Sequence, residues 1–267
     1  MADTRPDIET PLKWAGGKRW LMGHLREVYP PGLRVVDPFS GGMSVSFGLK
    51  PEQALVSDVN PHLMNFWRWM QAGLTWDEDL GIEYRNDSVV YYENREKFNA
   101  LCDAREYWTR EGALLFYYLN RSCFNGLCRF NSSGTFNVPF GRYKYIDYKK
   151  SFLEYVPMMR GWELYCGDFE SLPLRQGDFL YADPPYDVEF TQFAPRDFVW
   201  HDQVRLANWL ARHQGPVATS NQATTRIVEL YQNLGFDIVK LNAPRLISCN
   251  GDRTPAVEIL ALKGMKA

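Results

Sequence analysis

The stretch Phe179-Leu180-Tyr181-Ala182-Asp183-Pro184-Pro185-Tyr186 decides the fold of this chain of 267 residues. Its first four residues are apolar and predict a short buried strand, and the two prolines predict a stiff turn that ends the strand. The strand therefore ends on a carboxylate, Asp183, and the turn carries an aromatic ring, Tyr186.

Other short apolar runs also end on polar side chains. Strands are predicted at 34–36, 53–56, 162–166 and 216–219, and each is followed by a polar group: Asp37, Asp58, Asp168 and Ser220-Asn221. Helices are predicted from Pro61 onward, at 202–213 and at 224–234, and late strands at 238–241 and 257–262. This alternation predicts a mostly parallel α/β sheet with a late antiparallel hairpin. Because ligands of such sheets bind at the carboxyl ends of the strands, the polar strand ends predict one shared site.

The tetrapeptide Asp183-Pro184-Pro185-Tyr186 suits an aromatic amine substrate. An exocyclic amine of adenine is a poor nucleophile because its lone pair is delocalised into the ring. The Asp183 carboxylate and the Pro184 carbonyl could accept its two hydrogens and favour a pyramidal nitrogen, and neither Pro184 nor Pro185 has an N–H to compete. Tyr186 offers a face for stacking an extruded base. The alternative is a turn that only closes the strand.

Two further stretches could bind a small ligand. The turn Asp37-Pro38-Phe39-Ser40-Gly41-Gly42 lets backbone approach a ligand closely, but it is neither a dinucleotide fingerprint nor a Walker A loop, and a structural turn is an equal alternative. In the segment 11–18, Trp14 offers a face for a sulfonium cation and Lys18 an ammonium for a carboxylate. A basic N-terminal arm is the alternative for that segment.

Two aspartates could hold the rest of a nucleoside cofactor. Asp58 follows the glycine turn by about twenty residues, where nucleotide-binding α/β folds place a carboxylate that accepts from ribose hydroxyls. Asp168 could hold an adenine amino group. Helix capping is the alternative for both residues, because aspartate is common at that position.

The middle of the chain differs in character. It is predicted to be helical and aromatic over 91–119, and then irregular. The segment 121–150 contains six basic residues and one acidic residue, so its net charge is +5 in a chain of net charge −2. The basic residues are Arg121, Arg129, Arg142, Lys144, Lys149 and Lys150, and the acidic residue is Asp147. Seven phenylalanines and tyrosines lie in the same segment. Cations suit phosphates and aromatic rings suit bases, so a nucleic-acid surface is predicted here, with a solvated charged loop as the alternative.

Composition excludes several classes of protein. The five cysteines are odd in number and form no C-x-x-C pair, which predicts reduced thiols rather than a disulfide framework or zinc site. The four histidines show no ligand spacing, so we expect no metal. No run of 18 apolar residues predicts a membrane span, and no signal peptide begins the sequence, so a cytoplasmic location is expected. None of the cysteines follows a proline, which argues against covalent attack on cytosine.

Together these stretches resemble the DNA adenine-N6 methyltransferases of the Dam family, over nearly the whole chain and in the family's order. The most specific match is Phe124-Asn125-Gly126-Leu127-Cys128-Arg129-Phe130-Asn131. The other matching stretches are 12–18, 37–39, Asp58-x-Asn60, 119–121, 134–144, 183–186, 220–221 and 245–253.

The resemblance implies a fold and a reaction. The fold is a Rossmann-like S-adenosylmethionine-dependent methyltransferase sheet built from 1–62 and 155–267, with an inserted, mainly helical DNA-recognition domain at 63–154 that contains a basic hairpin. The reaction moves a methyl group from S-adenosylmethionine to N6 of an adenine flipped out of double-stranded DNA, in the site GATC. A monomer in solution is expected.

The resemblance also implies residue roles. Residues 183–186 would grip the flipped adenine. The cofactor pocket would consist of Trp14, Lys18, Asp37, Phe39, Gly41, Asp58, Asp168, Phe169 and Asp183. On the DNA side, Lys13 would contact the first guanine, and Arg129 a guanine beyond the target with Leu127 and Pro139 nearby. Phe124 would wedge into the vacated stack, Asn125 would touch the orphaned base, and Asn137 and Arg142 would contact phosphates.

Two departures from the family are visible. Gly41-Gly42-Met43 stands where the family often has Gly-x-Gly, and Phe124 stands where the best-matching members have tyrosine. Three alternatives stay open: a methyltransferase for cytosine N4 or an RNA amine, one for a protein amide, and a catalytically silent DNA-binding module. The intact Asp183–Tyr186 stretch argues against the silent module.

Overall fold

The structure is a computed structural model that describes residues 8–76, 78–187, 198–243 and 256–265. Over these parts of the chain, seven strands form one sheet: β1 (Val35–Asp37), β2 (Ala54–Asp58), β3 (Trp162–Cys166), β4 (Phe179–Ala182), β5 (Val217–Gln222), β6 (Asp237–Ala243) and β7 (Ala256–Lys263). Their order is β3-β2-β1-β4-β5-β7-β6. The first five strands pair in parallel, and β7 lies antiparallel between β5 and β6.

This topology confirms the predicted α/β class and the late antiparallel hairpin. The order β3-β2-β1-β4-β5 is that of an open, doubly wound Rossmann-like sheet. The direction of strand order reverses between β1 and β4, which pair through Val36 and Leu180. A crevice opens at such a switch point beyond the carboxyl ends of the strands, and ligands of open α/β sheets bind there.

The predicted strand ends are too early in three cases. Asp37 and Asp58 are the last residues of β1 and β2, and Ser220 and Asn221 lie inside β5. Pairing with neighbours extends these strands: Asp58 pairs with Cys166, and β5 continues because β7 pairs with it as far as Gln222. Polar residues remain in the ladder because backbone hydrogen bonds do not depend on side-chain polarity.

The helices flank the sheet and are α1 (Met22–Val28), α2 (Ser44–Leu49), α3 (Pro61–Gln71), α4 (Ser88–Asp103), α5 (Arg110–Ser122), α6 (Val156–Met159), α7 (Trp200–Arg212) and α8 (Thr225–Asn233). The start of α3 at Pro61 is confirmed, and Asn60 caps it by accepting from the backbone N–H groups of His62 and Leu63. Helix α7 begins two residues before the predicted boundary, and Thr224 caps α8 rather than belonging to it.

The helical region predicted over 91–119 is confirmed, but it consists of two helices rather than one. The chain forms α4 and α5 with a break between them, where Arg105 has a left-handed φ of 58°. Thr109 then caps α5 by accepting from the N–H of Gly112. Beyond α5, Phe130 and Phe136 form an isolated antiparallel bridge around a turn in which the Asn131 N–H donates to the Thr135 carbonyl.

One hydrophobic cluster runs from the sheet into the segment 63–154. It joins Val35 and Val56 of the sheet to Phe66, Phe116 and Phe152. The basic segment is attached to this core by ring contacts, for example His62 stacked on Phe130 with centroids 4.8 Å apart. Among the described residues, no helix is both long enough and apolar enough to cross a membrane.

Candidate active site and nucleic-acid interface

The Asp183 carboxylate is held by protein groups on both oxygens. The Ser220 hydroxyl donates to Oδ1 over 2.7 Å, and the Lys18 ammonium lies 3.0 Å from Oδ2. The Tyr181 hydroxyl lies 2.8 Å from the same serine oxygen. Burial raises the pKa of Asp183, while Lys18 and Ser220 lower it by stabilising the charged form. Parallel pairing of β4 with β5 explains the contact, because it brings both strand ends to one edge.

Tyr186 is held at its ring and at its hydroxyl. The Lys18 ammonium lies 4.7 Å from the ring centroid, within the range of a cation–π contact. The hydroxyl donates to Oε2 of Glu258, at the start of β7, over 2.5 Å. Burial raises the pKa of Tyr186, and the nearby carboxylates of Asp183 and Glu258 raise it further. The hydroxyl therefore keeps its proton and acts as a donor.

The turn after β4 is anchored behind these side chains. The Pro185 carbonyl accepts from the Gln203 amide over 2.8 Å, and the Asn221 amide donates to Gln203 over 3.0 Å. The buried Asp187 carboxylate forms an ion pair with Arg226 of α8. The turn therefore depends on contacts with β5, α7 and α8 as well as on its prolines.

The glycine turn after β1 fits closely against Trp14. Gly41 has a left-handed φ of 44°, and a Cβ built there would lie 2.9 Å from the indole Cδ1. A Cβ on Gly42 would lie 2.8 Å from the Trp14 Cβ. Met43 also adopts a left-handed φ, of 55°, and its side chain is buried. Glycine is therefore required at positions 41 and 42. At Met43 the left-handed backbone costs about 1–2 kcal/mol of strain, which burial of its side chain offsets.

Two carboxylates face the glycine turn. Asp58 accepts the Gly41 N–H at Oδ2 over 3.1 Å and the Asn60 N–H at Oδ1 over 2.9 Å. The helix cap here is Asn60, so the capping alternative for Asp58 is wrong. Burial raises the pKa of Asp37 to about 7, with smaller contributions from Asp183 and Asp58, while a hydrogen bond from Ser46 opposes the shift.

Aromatic rings gather beside this turn. Phe39 lies 5.7 Å from Phe169 and 5.4 Å from Phe198, centroid to centroid, the second pair edge-to-face. Asp168 accepts the Glu170 N–H and forms an ion pair with Arg205 at 2.8 Å, and the Arg205 guanidinium lies over the Phe169 ring at 4.6 Å. Asp168 therefore caps the short helix that begins at Phe169, and its carboxylate oxygens can still accept further hydrogen bonds.

The segment 13–18 connects this edge of the sheet to the basic segment. At one end, the Lys13 N–H donates to the Asn120 side chain over 2.8 Å, and its ammonium lies 3.4 Å from the centroid of Tyr143. At the other end, Lys18 contacts Asp183 and Tyr186. Gly126 packs directly on Lys13, since a Cβ there would lie 3.1 Å from the Lys13 Cδ.

Exposed apolar side chains mark the basic segment. Phe124 is 50% exposed and Leu127 is 39% exposed, although both are large and apolar. The backbone holds Phe124 by donating its N–H to the Pro139 carbonyl over 2.8 Å, and Asn125 has a left-handed φ of 54°. Phe124, Asn125 and Arg142 line a cavity of about 280 Å³.

Two arginines of this segment differ in their surroundings. The Arg129 Nε donates to the Asn137 side chain over 2.9 Å, so Asn137 orients the guanidinium. Arg142 is exposed at the cavity. An ion pair with Glu154 offsets the charge of Lys149, and donation to the carbonyls of Pro11 and Asp147 orients the Arg121 guanidinium without reducing its charge.

Comparison with known proteins identifies the family. Residues 14–247 match the model of the D12 class N6 adenine-specific DNA methyltransferases. The chain belongs to this family. The chain is 34% identical to the retron Ec67 DNA adenine methylase of Escherichia coli, over 97% of this chain and 93% of that protein. It is 35% identical to a DNA adenine methylase of Vibrio cholerae and 34% identical to that of Escherichia coli K12, each over 94% of both chains.

The chain is therefore an adenine-specific DNA methyltransferase that uses S-adenosylmethionine. The groups at the carboxyl edge fit this cofactor chemically: a buried ammonium, buried carboxylates and a cluster of aromatic rings. Two buried hydroxyls there, Ser40 Oγ and Ser57 Oγ, have no hydrogen-bond partner within the described residues, which suits a polar ligand. The four described cysteines are free, and burial raises their thiol pKa values, to about 12 for Cys123 and Cys128.

Sequence patterns did not indicate every residue of the candidate site. Five residues contact the predicted site residues or their neighbours but lie in none of the sequence motifs described above: Glu258, Asp187, Arg226, Gln203 and Phe198. The two residues in each contact are separated by 18 to 72 positions in the sequence, except that Phe198 is farther than this from Phe39. Such pairings depend on how strands and helices pack, so local periodicity gives no indication of them. The matching stretch 245–253 lies outside the described residues.

Proposed function

We propose that the enzyme methylates N6 of an adenine flipped out of duplex DNA, within the sequence GATC. The observation that carries this proposal is the segment 13–18, whose two ends contact the exposed face of the basic segment and the pair Asp183 and Tyr186. A base leaving the duplex at the first surface needs only a short path to the second. The resemblance to the Dam family supplies the sequence GATC.

In this proposal Asp183 and Pro184 accept the hydrogens of the adenine amine. Removing the lone pair from conjugation requires two acceptors, and a carboxylate is the stronger of the two. Pro185 stiffens the turn, and Tyr186 stacks on the base through the ring face that Lys18 does not cover, while its hydroxyl end is held by Glu258. These residues act by orienting the amine, and no covalent bond to the protein is needed.

The cofactor would lie along the glycine turn. When bound, S-adenosylmethionine supplies an electrophilic methyl group. Lys18 suits its carboxylate, with Trp14, Asp37, Phe39 and Gly41 around the methionine end. Asp58 suits the ribose hydroxyls, and Asp168 and Phe169 the adenine ring.

DNA would bind across the basic segment. Phe124 is the wedge, since a large ring kept half in solvent can enter a base stack once DNA is bound. Arg129 reads a guanine near Leu127 and Pro139, Lys13 contacts the first guanine, and Asn125 touches the orphaned base. Asn137 and Arg142 contact phosphates. The segment 63–154 thus serves as the target-recognition unit, although it shares its core with the sheet.

Transfer of labelled methyl groups to two duplexes tests the proposal. The duplexes are identical except that one contains GATC and the other GTAC, and nucleosides are analysed afterwards. We expect N6-methyladenine in the GATC duplex alone. Equal methylation of both would overturn the recognition sequence, and label on cytosine would overturn the target atom.

A further inference from the structure

The carboxylate of Glu258 has no role in the assignments above, yet it makes a direct hydrogen bond to a residue of the site. It lies on β7, which pairs with both β5 and β6, and Glu258 is opposite Gln222 and Leu241. Its neighbour Ile259 is buried in the core. Because side chains alternate along a strand, Glu258 points to the other side, toward Tyr186.

From this contact we infer that Glu258 is a positioning residue for methyl transfer, fixing the Tyr186 ring through its hydroxyl so that the flipped adenine stacks in a single orientation. The inference rests on the proposed stacking role of Tyr186. A tyrosine ring held only at its base could swing about its side-chain torsions, whereas a bond at the far end removes that freedom.

The surrounding charges support a strong bond. The hydroxyl keeps its proton, since burial and two carboxylates raise the pKa of Tyr186, and a bond from a neutral donor to a carboxylate is stronger than one between neutral groups. Burial also raises the pKa of Glu258, and the Tyr186 hydroxyl and the Lys18 ammonium lower it. Lys18 contacts the ring of the same tyrosine, so the ring is fixed at two points.

The test measures single-turnover methyl transfer to a GATC duplex for E258A, E258Q, Y186F and the E258A/Y186F double variant. We expect E258A and Y186F each to slow the step about tenfold to a hundredfold, because small displacements of a reacting group cost that much. The double variant should be no slower than the slower single variant, since both remove the same bond. E258Q keeps an oxygen acceptor and should stay within about threefold of the wild-type rate.

The expected loss lies in kcat, with KM for DNA changed less than about threefold, because a swinging ring affects orientation more than docking. The matched control is E229A, an exposed glutamate on α8, which should keep the wild-type rate. Wild-type rates for Y186F, or multiplicative losses in the double variant, would overturn the inference even if E258A does not fold. Y186A separates the two proposals: if it retains the wild-type rate, the stacking role of Tyr186 itself fails, whereas a slow Y186A beside an unaffected E258A overturns only the inference about Glu258.

Discussion

The ammonium of Lys13 lies between a tyrosine ring and the carbonyl of Arg121, 3.0 Å away. Burial lowers its pKa to about 8, and repulsion from the Arg121 guanidinium adds to that effect. A lowered pKa in a cation means that the charge is present at pH 7 and is lost as the pH rises through about 8. In the proposed contact with a guanine acceptor, the charged ammonium is the stronger donor.

DNA binding should therefore weaken with rising pH. Between pH 7 and pH 9 the Kd for a GATC duplex is expected to rise by up to about tenfold, since the protonated, more strongly donating fraction of Lys13 falls over that range. Fluorescence anisotropy at constant ionic strength measures this change. K13A should bind more weakly at pH 7 and show little further change up to pH 9. An equal pH dependence in K13A would assign the titration to another group.

Asp183 offers a second test at the scale of one residue. D183N keeps the shape and one carbonyl oxygen but loses the negative charge, so we expect single-turnover methyl transfer to fall by about a hundredfold or more. Thermal unfolding controls for stability, because the substitution also leaves the buried Lys18 without its ion-pair partner. D237N, at an exposed aspartate of β6, is the matched control. Undiminished transfer in D183N would remove Asp183 from the catalytic assignment.

At the scale of an element, the irregular hairpin around Phe130 and Phe136 carries Arg129, the residue proposed to read a guanine, whereas Arg142, proposed to contact a phosphate, lies beyond it in the chain. Asn137 holds Arg129 by its Nε, which leaves the outer nitrogens of the guanidinium to pair with a guanine edge. Arg142 lines the cavity beside Phe124 and takes no part in that bond.

R129A and R142A should therefore change different properties of DNA binding: base discrimination in the first, overall affinity in the second. We expect R129A to reduce discrimination at one base position by about 1–3 kcal/mol, and R142A to weaken binding to all duplexes alike with a smaller salt dependence. Competition binding with singly substituted GATC duplexes at two salt concentrations measures both effects. The recognition map is wrong if R129A leaves the sequence preference intact.

The elements also indicate what sequence reasoning can and cannot reach. Trp162–Cys166 and Phe179–Ala182 agree with their predicted bounds, because each is a short strand-forming run closed by a glycine or proline turn. Helix α2 was not predicted from the sequence. Most of its residues are buried, namely Val45, Ser46, Phe47 and Leu49, so no polar face gives the sequence a helical period. The break before α5 follows from the capping side chain of Thr109, a local indication that periodicity alone overlooks.

The candidate site likewise contains residues that the sequence predicted and contacts that it did not. Residues of the glycine turn, the Asp183–Tyr186 turn and the segment 13–18 were predicted because each carries its own chemistry within a few positions. The contacts of Tyr186 with Glu258 and of Asp187 with Arg226 were not, since they depend on β7 and α8 packing beside a turn distant in sequence.

At the scale of the whole molecule, the two edges of the sheet have different tasks. Before β1 and β4, the buried Arg34 guanidinium donates to both oxygens of buried Asp178, over 2.9 and 2.8 Å, and to Glu163 over 2.9 Å. This ion pair lies at the amino ends of the strands, away from the carboxyl ends where the site residues gather.

D178A should consequently lower the free energy of unfolding by up to about 3–5 kcal/mol, because it removes the buried carboxylate that accepts two hydrogen bonds from the Arg34 guanidinium and leaves half-exposed Glu163 as its ionic partner. Below the unfolding temperature, methyl transfer should stay within about twofold of wild type. Urea denaturation and single-turnover assays measure the two quantities. R175A, which removes a half-exposed partner of Glu163, should cost less than about 1 kcal/mol. A tenfold loss of methyl transfer in folded D178A would contradict the division between the edges.

The position of β7 between β5 and β6 has a consequence for how the molecule is made. A ribosome releases β1 to β6 before it releases β7, so until then β5 and β6 cannot complete the sheet and each exposes a backbone edge. Tyr186 also lacks its acceptor over that interval. A newborn chain therefore completes the seven-strand sheet of the described residues and gains the Tyr186–Glu258 contact in the same event, and a chain terminated before Ala256 would expose both strand edges and lack that contact.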